Sequence, residues 1–379
     1  VDQSFETKIV HHSLKKTNHI RSKTTPIFQT SAFTFSSLEE LEGFYQGDES
    51  YLYSRTGNPN TDELGQMVAN LEGAPSGVAT SSGLSAILAG LLSVVSSGDH
   101  IVAAEDIYGG THHLLKEELK NLGIETSFVN FADQTAIRDA ILENTKLLYS
   151  ETVTNPFLRV EQIDTLVKLG KDYNLYTMVD NTFATPYLLN PYQEGIDIVA
   201  HSATKYLGGH SDVTAGVVVG SEELMTKARQ KVVNLGSNLS SFEAWLTCRG
   251  IKTLALRMER QSANAKQLAD ALYQNSNIKK VYYPTDLSSK GNGAIVTIEL
   301  ADTCDIHRFF SSLGWVKIVP TLAGVETTVS YPLGTSHRAL SLEEQQNIGI
   351  NQQVVRISIG IEDAEDIIKQ FDEAIHASI

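Results

Sequence analysis

Between residues 84 and 219 the chain alternates helix-like stretches with short apolar runs, and few folds accept that rhythm. An apolar helix pattern at Leu84 to Val95 leads to a strand-like run at Ile101 to Ala104, a helix near Thr111 to Leu122 and a strand at Thr126 to Val129. A helix near Thr135 to Leu142, the run Leu147-Leu148-Tyr149, a helix at Asp164 to Tyr173 and strands at Tyr176 to Val179, Ile196 to His201 and Val217 to Val219 continue the pattern. Such alternation predicts right-handed crossover units and a mainly parallel sheet, so the expected fold class is α/β. From Phe242 to Tyr273 the chain becomes long and helical. Strands near Lys280 to Tyr283, Ala294 to Leu300 and Val354 to Ile359, with helices near Asp305 to Leu313 and Ala364 to Ile375, then predict a smaller α+β domain. The expected organisation is a polar, irregular arm over 1–45, a large domain over 46–250 and the smaller domain over 251–379.

The segment His201-Ser202-Ala203-Thr204-Lys205-Tyr206-Leu207-Gly208-Gly209 stands out chemically. An apolar strand runs straight into hydroxyl residues, one lysine and two glycines. A lysine held against low-dielectric surroundings is biased toward the neutral amine, the form that attacks a carbonyl, and Ser202 and Thr204 can hydrogen-bond a phosphate. Asp180 ends the Tyr176 to Val179 run, where a carboxylate can keep a pyridine nitrogen protonated. Together these point to pyridoxal 5'-phosphate. Most lone lysines are solvated surface charges, and it is the company Lys205 keeps that argues otherwise. Ser81-Ser82-Gly83-Leu84, just ahead of an apolar helix, has the form of a phosphate-binding helix start, although a plain serine cap explains the same residues. Arg356 lies inside the apolar run Val354 to Ile359, where an unpaired guanidinium is costly, so it requires an anion: a ligand carboxylate or a structural salt bridge.

Four segments, HSATKYLGGHSD at His201 to Asp212, VDNTFATPY at Val179 to Tyr187, YSRTGNP at Tyr53 to Pro59 and VRISIGIED at Val355 to Asp363, resemble the pyridoxal-phosphate-dependent trans-sulfuration enzymes of cysteine and methionine metabolism. The resemblance covers nearly the whole chain and implies the fold-type-I, aspartate-aminotransferase-like architecture. It also implies a set of roles. Lys205 carries the cofactor and acts as base, Asp180 faces the ring nitrogen, and Tyr108 stacks on the ring and assists proton movement. Gly83 and Leu84 serve the phosphate through backbone amides, Ser202 and Thr204 through hydroxyls, with Ser82 beside them. Asn155 serves the ring oxygen, and Arg356 binds the substrate α-carboxylate with Thr321 and Asn155 nearby. Tyr53 and Arg55 reach the phosphate of a neighbouring subunit, which implies a homodimer with shared sites, commonly paired into a homotetramer.

The motifs are common to cystathionine γ-lyases, γ-synthases and β-lyases, methionine γ-lyases and O-acetylhomoserine sulfhydrylases. The expected activity is breaking or forming the Cγ–S bond of cystathionine, homocysteine or a related sulfur or O-acylated amino acid, with the β-lyase, methionine γ-lyase and sulfhydrylase reactions as alternatives. Pro320 stands where cystathionine γ-enzymes carry glutamate, and the Tyr108-Gly109-Gly110 turn has glycine where methionine γ-lyases have cysteine. Thr335 to Ser341 resembles the sulfhydrylases, and the 283–294 loop is shorter than in many relatives. A protein that merely binds the cofactor would place no chemical demand on Lys205, Asp180, Tyr108 and Arg356 together.

The remaining features exclude more than they assign. With 379 residues, 41% of them hydrophobic and 20% charged, the chain can bury a large core. A formal charge of -15 argues against nucleic acid as a partner. Leu84 to Val95 is too short and too interrupted to span a bilayer, and no secretory signal is legible, so no membrane is expected. Cys248 and Cys304 are the only cysteines and suit a reduced, cytoplasmic setting. Neither they nor His112, His113, His201 and His210 have zinc-ligand spacing, so no metal is expected. Nucleotide-binding glycine motifs are absent.

Overall fold

The computed structural model describes residues 3–12, 22–47, 51–335, 338, 345 and 348–379. Lys15, Lys16 and most of the sulfhydrylase-like stretch after Thr335 lie outside the described residues. The larger sheet contains β1 (Ser76–Thr80), β2 (His100–Ala104), β3 (Glu125–Val129), β4 (Thr145–Glu151), β5 (Tyr176–Asp180), β6 (Ile198–His201) and β7 (Gly216–Gly220), in the spatial order β1-β7-β6-β5-β4-β2-β3. Strands β3, β2, β4, β5 and β6 are parallel, and β7 is antiparallel to both β6 and β1. The mainly parallel α/β sheet expected from the alternation is present. Its central strands are continuous apolar runs because helices cover both faces, and all five residues of β2 and of β7 are buried. Two reversals restore the direction of β1, so β1, β4, β5 and β6 all end at the same sheet edge. That edge is where open α/β sheets bind ligands.

The helix Pro59–Glu72 and the strand β1 are among the elements that escaped the sequence reading. The helix Pro59–Glu72 begins at Asn58, whose side chain caps the Asn60 amide, with proline at its first position. It lies directly on β1, where a Cβ on Gly65 would fall 2.5 Å from the Gly77 carbonyl oxygen and one on Gly77 2.3 Å from that of Gly65. Two glycines are therefore needed for this backbone contact. The amino-terminal segment is also less irregular than expected, since it contains helices Phe5–His11 and Leu38–Gln46. Phe5 and Ile9, one turn apart, suffice to dock the first of these. Ile9 is 2% exposed, and the Phe5 ring meets Tyr187 edge-on at 5.5 Å. Lys290, from the short 284–293 loop, sits over both rings at 5.1 and 4.6 Å.

The helical region after residue 240 is two helices, Ser241–Ile251 and Leu254–Tyr273. Within these helices, buried apolar residues up to Met258 belong to the core around the larger sheet, whereas those from Ala265 to Leu272 belong to a second hydrophobic cluster. The second cluster surrounds a five-stranded sheet of β8 (Ile278–Tyr282), β9 (Ile295–Leu300), β10 (Lys317–Ile318), β11 (Thr328–Ser330) and β12 (Val354–Ser358), ordered β10-β11-β12-β9-β8. Helices Ile306–Ser311 and Ala364–Ala377 complete this unit. Strands β10 and β11, two and three residues long, are too short to register as a pattern in sequence.

Candidate active site

A cleft of about 510 Å³ opens at the shared edge of β1, β4, β5 and β6 and is lined as well by Arg356 of the strand Val354–Ser358 and by Pro320, Thr321 and Leu322. Eleven of the residues singled out in sequence line it: Ser82, Gly83, Leu84, Tyr108, Asn155, Asp180, Ser202, Thr204, Lys205, Thr321 and Arg356. Helix Gly83–Leu91 starts here, directly after β1, and its N-cap Ser82 accepts a hydrogen bond from the Ser85 amide at 3.1 Å. The amides of a helix's first turn have no partner within the helix, and its positive end favours an anion. A Cβ on Gly83 would meet the Ser202 Cβ at 2.6 Å, so glycine lets the helix start and the Ser202 turn stand side by side. The Thr204 hydroxyl donates to the Ala215 carbonyl and accepts from the Ala215 amide, pinning the Lys205 turn to the chain before β7.

Burial opposes each charge in the cleft, and a few specific bonds support it. Lys205 Nζ donates to Thr321 Oγ1 at 2.6 Å; burial first, and the Arg356 guanidinium second, lower its pKa to about 8. Arg356 is 2% exposed, donates from Nη1 to Asn155 Oδ1 at 3.0 Å and has a longer contact to the Thr321 carbonyl. Its Nε has no hydrogen-bond partner, and among the described residues no carboxylate pairs with it. Burial lowers its pKa to about 10, which leaves it cationic at neutral pH. Among the described residues, then, no structural salt bridge engages the guanidinium. Asp180 is held by Thr182, which donates both its backbone amide and its hydroxyl to Oδ1. Burial pushes the Asp180 carboxyl up, while the Thr182 bonds and then the His201 imidazole pull it down.

Tyr53 and Arg55 stand apart from this constellation. The Arg55 guanidinium lies 5.6 Å over the Tyr53 ring and donates to the Val233 carbonyl at 3.3 Å, in a separate recess. The cleft also contains residues that the sequence reading missed. Glu151 ends β4 beside Asp180, is 5% exposed and accepts from the Tyr108 amide at 2.7 Å. Thr182 accepts from the Ser202 amide at 2.8 Å while bonding Asp180, so it ties the two motif segments together. Both had a sequence signal: Glu151, like Asp180, is an acid closing a buried apolar run, and Thr182 lies two residues past Asp180. Pro320 does line the cleft.

A family model for Cys/Met metabolism PLP-dependent enzymes matches residues 6–376. A cystathionine β-lyase from Lactococcus lactis is 39% identical over 383 residues, covering 98% of this chain and 99% of the relative. The structure of a cystathionine γ-lyase from Lactobacillus plantarum, complexed with L-serine, superposes with a TM-score of 0.93 at 33% identity and covers 99% of each chain. A Campylobacter jejuni structure assigned as an O-acetylhomoserine (thiol)-lyase, 29% identical with a TM-score of 0.93 and covering 99% of this chain and 100% of its own, carries a pyridoxyl-lysine phosphate.

Pyridoxal phosphate fits the residues present here. The cleft offers a lysine with a depressed pKa, a carboxylate, a helix start and a buried arginine Nε lacking a partner. The Lys205 pKa gives the first prediction. Attachment of the cofactor to cofactor-free protein, followed by absorbance, should accelerate with pH and level off above about 8, as the neutral amine becomes the dominant form. A lysine of ordinary pKa would keep accelerating to about 10.4, and that outcome would show that the cleft does not depress Lys205.

Proposed function

The chain belongs to the PLP-dependent enzymes of cysteine and methionine metabolism, and within that family we propose that it is a carbon–sulfur lyase acting at Cγ of cystathionine, homocysteine or a related sulfur amino acid. The observation that carries this reading is the buried Arg356 guanidinium, without a carboxylate partner among the described residues and set in the same cleft as the low-pKa Lys205. A planar guanidinium binds an α-carboxylate through two parallel hydrogen bonds, which would orient an amino acid with its Cα toward the lysine. Asn155 and Thr321, each already in contact with Arg356, would steady that pose.

Bound pyridoxal phosphate supplies a carbonyl for the substrate amine and a sink for the electron pair left at Cα. Asp180 would hold the ring-nitrogen proton, the Ser82-Gly83-Leu84 helix start and Ser202 would hold the phosphate, Thr204 would fix the turn beneath it, and Tyr108 would cover the ring. Lys205, once its amine is free, would take the Cα proton and carry protons between Cα and Cβ, while the Tyr108 phenol would protonate the departing sulfur. Cytoplasmic turnover of small metabolites agrees with the acidic chain and with the lack, among the described residues, of any helix long and apolar enough to cross a membrane.

A second reading, β-elimination from cystathionine, is favoured by the Lactococcus relative, whose name is that of a β-lyase. The products separate the two. Cystathionine should yield 2-oxobutanoate by γ-elimination, and mass spectrometry of the keto acids would detect it; predominant pyruvate would establish the β reaction, and turnover confined to O-acylhomoserine with sulfide would move the enzyme to the sulfhydrylases. Pro320 offers no carboxylate to a distal substrate amine, which supports use of homocysteine and simpler sulfur amino acids beside cystathionine.

Shared sites in a homodimer, and its pairing into a homotetramer, are supported by Tyr53 and Arg55 lying outside their own cleft while holding a cation at the surface. Mixing inactive Arg55→Ala subunits with inactive Lys205→Ala subunits should restore up to about a quarter of wild-type activity, because hybrid dimers contain one intact site. Absence of recovery despite demonstrated subunit exchange would rule out sharing through Arg55.

A further inference from the structure

Glu151 and Asp180 are paired residues at the ends of neighbouring parallel strands β4 and β5. Paired positions lie on the same face of a sheet with backbones about 4.8 Å apart, so the two carboxyls are neighbours in the cleft wall, away from bulk water. Two carboxylates so placed cannot both ionise without a large cost. Donors decide which one keeps its charge. Asp180 receives two hydrogen bonds from Thr182, whereas Glu151 receives one, from the Tyr108 amide. We propose that Glu151 is a positioning residue held as a neutral carboxylic acid, whose carbonyl oxygen anchors Tyr108 while its proton leaves Asp180 as the single anion of the pair.

The surroundings agree from each side. Burial is the main cause holding the Glu151 carboxyl well above the usual range, and the Asp180 charge adds to it. Asp106 acts in the same direction, while Arg159 opposes it but is engaged by Asp106 at 2.7 Å and Glu161 at 3.1 Å. The Tyr149 phenol, fully buried on β4, is itself pushed up by burial and stays neutral. Lys205 and Arg356 line the cleft, Lys205 with its amine on Thr321. His201 lies beside Asp180, paired with Glu72 at 2.8 Å, and favours charge on Asp180. The Tyr108 link matters because that tyrosine is 40% exposed and begins the short helix Gly109–His113, so its backbone bond to Glu151 fixes where the ring can lie.

The role in turnover rests on the reading that the cleft takes pyridoxal phosphate; the protonation state does not, and the experiment separates them. Full-length protein labelled with carbon-13 at glutamate side-chain carboxyls, with and without cofactor, should show one signal that keeps the frequency of a protonated acid at pH values where ordinary glutamates, of pKa about 4.3, are ionised. That signal should be missing from both E151Q and E151A, either of which assigns it. E151Q keeps an oxygen for the Tyr108 amide and carries no charge, so its kcat/KM should stay within about threefold of wild type, whereas E151A should lose about tenfold or more. Cofactor retention, read by absorbance in each variant, distinguishes loss of Tyr108 placement from failure to bind the group at all. An ordinarily titrating Glu151 signal, or E151Q falling as far as E151A, would overturn the proposal.

Discussion

Arg356 carries a full charge at 2% exposure, with an amide, a carbonyl and, among the described residues, no carboxylate for company. Leaving a buried charge without its counterion costs about 3–5 kcal/mol, an expense that a fold does not retain idly. The rest of the site is arranged around that cation. Burial first, and that cation second, depress the Lys205 pKa. The same guanidinium links the two sheets, because it projects from β12 of the smaller one and reaches Asn155 after β4 of the larger. The placement of Arg356 in the cleft therefore depends on the packing of the second unit against the first.

The opposite wall solves the complementary problem, that of holding negative charge in a desolvated place. Burial raises the Asp180 carboxyl pKa, the Thr182 bonds and the His201 imidazole oppose that rise by supporting the anion, and Thr182 in turn reaches Ser202 across β5 and β6. Parallel strands make this economical: one sheet edge collects the ends of β1, β4, β5 and β6, and with them the helix start, Glu151, Asp180 and the Lys205 turn. A register shift of one residue in β4 or β5 would send Glu151 or Asp180 to the other face. The chemistry is thus fixed by strand pairing as much as by residue identity.

Legibility in the sequence followed how local each feature is. Lys205, Asp180 and the Gly83 helix start announce themselves within a few residues, and the alternating runs fixed the parallel sheet. Arg356 was legible as a charge inside an apolar run, although only the structure shows it without a carboxylate partner among the described residues. Glu151 was missed because its meaning lies in a partner 29 residues away across a strand pair, a relation of register that one sequence does not display. The helix Pro59–Glu72 had clear signals in Asn58 and Pro59, yet its polar composition masked them. The amino-terminal helices were overlooked because Phe5 and Ile9 are the few apolar contacts that dock a largely polar segment.

The central claim is that this cleft presents one lysine, Lys205, to a carbonyl cofactor opposite Asp180. Borohydride reduction of the cofactor-loaded protein, followed by proteolysis and mass spectrometry, reads that claim directly. The account predicts a pyridoxyl modification on Lys205 alone, absent from Lys205→Ala protein that still folds. A stable modification on any other lysine, or one that persists in the Lys205→Ala variant, would contradict it.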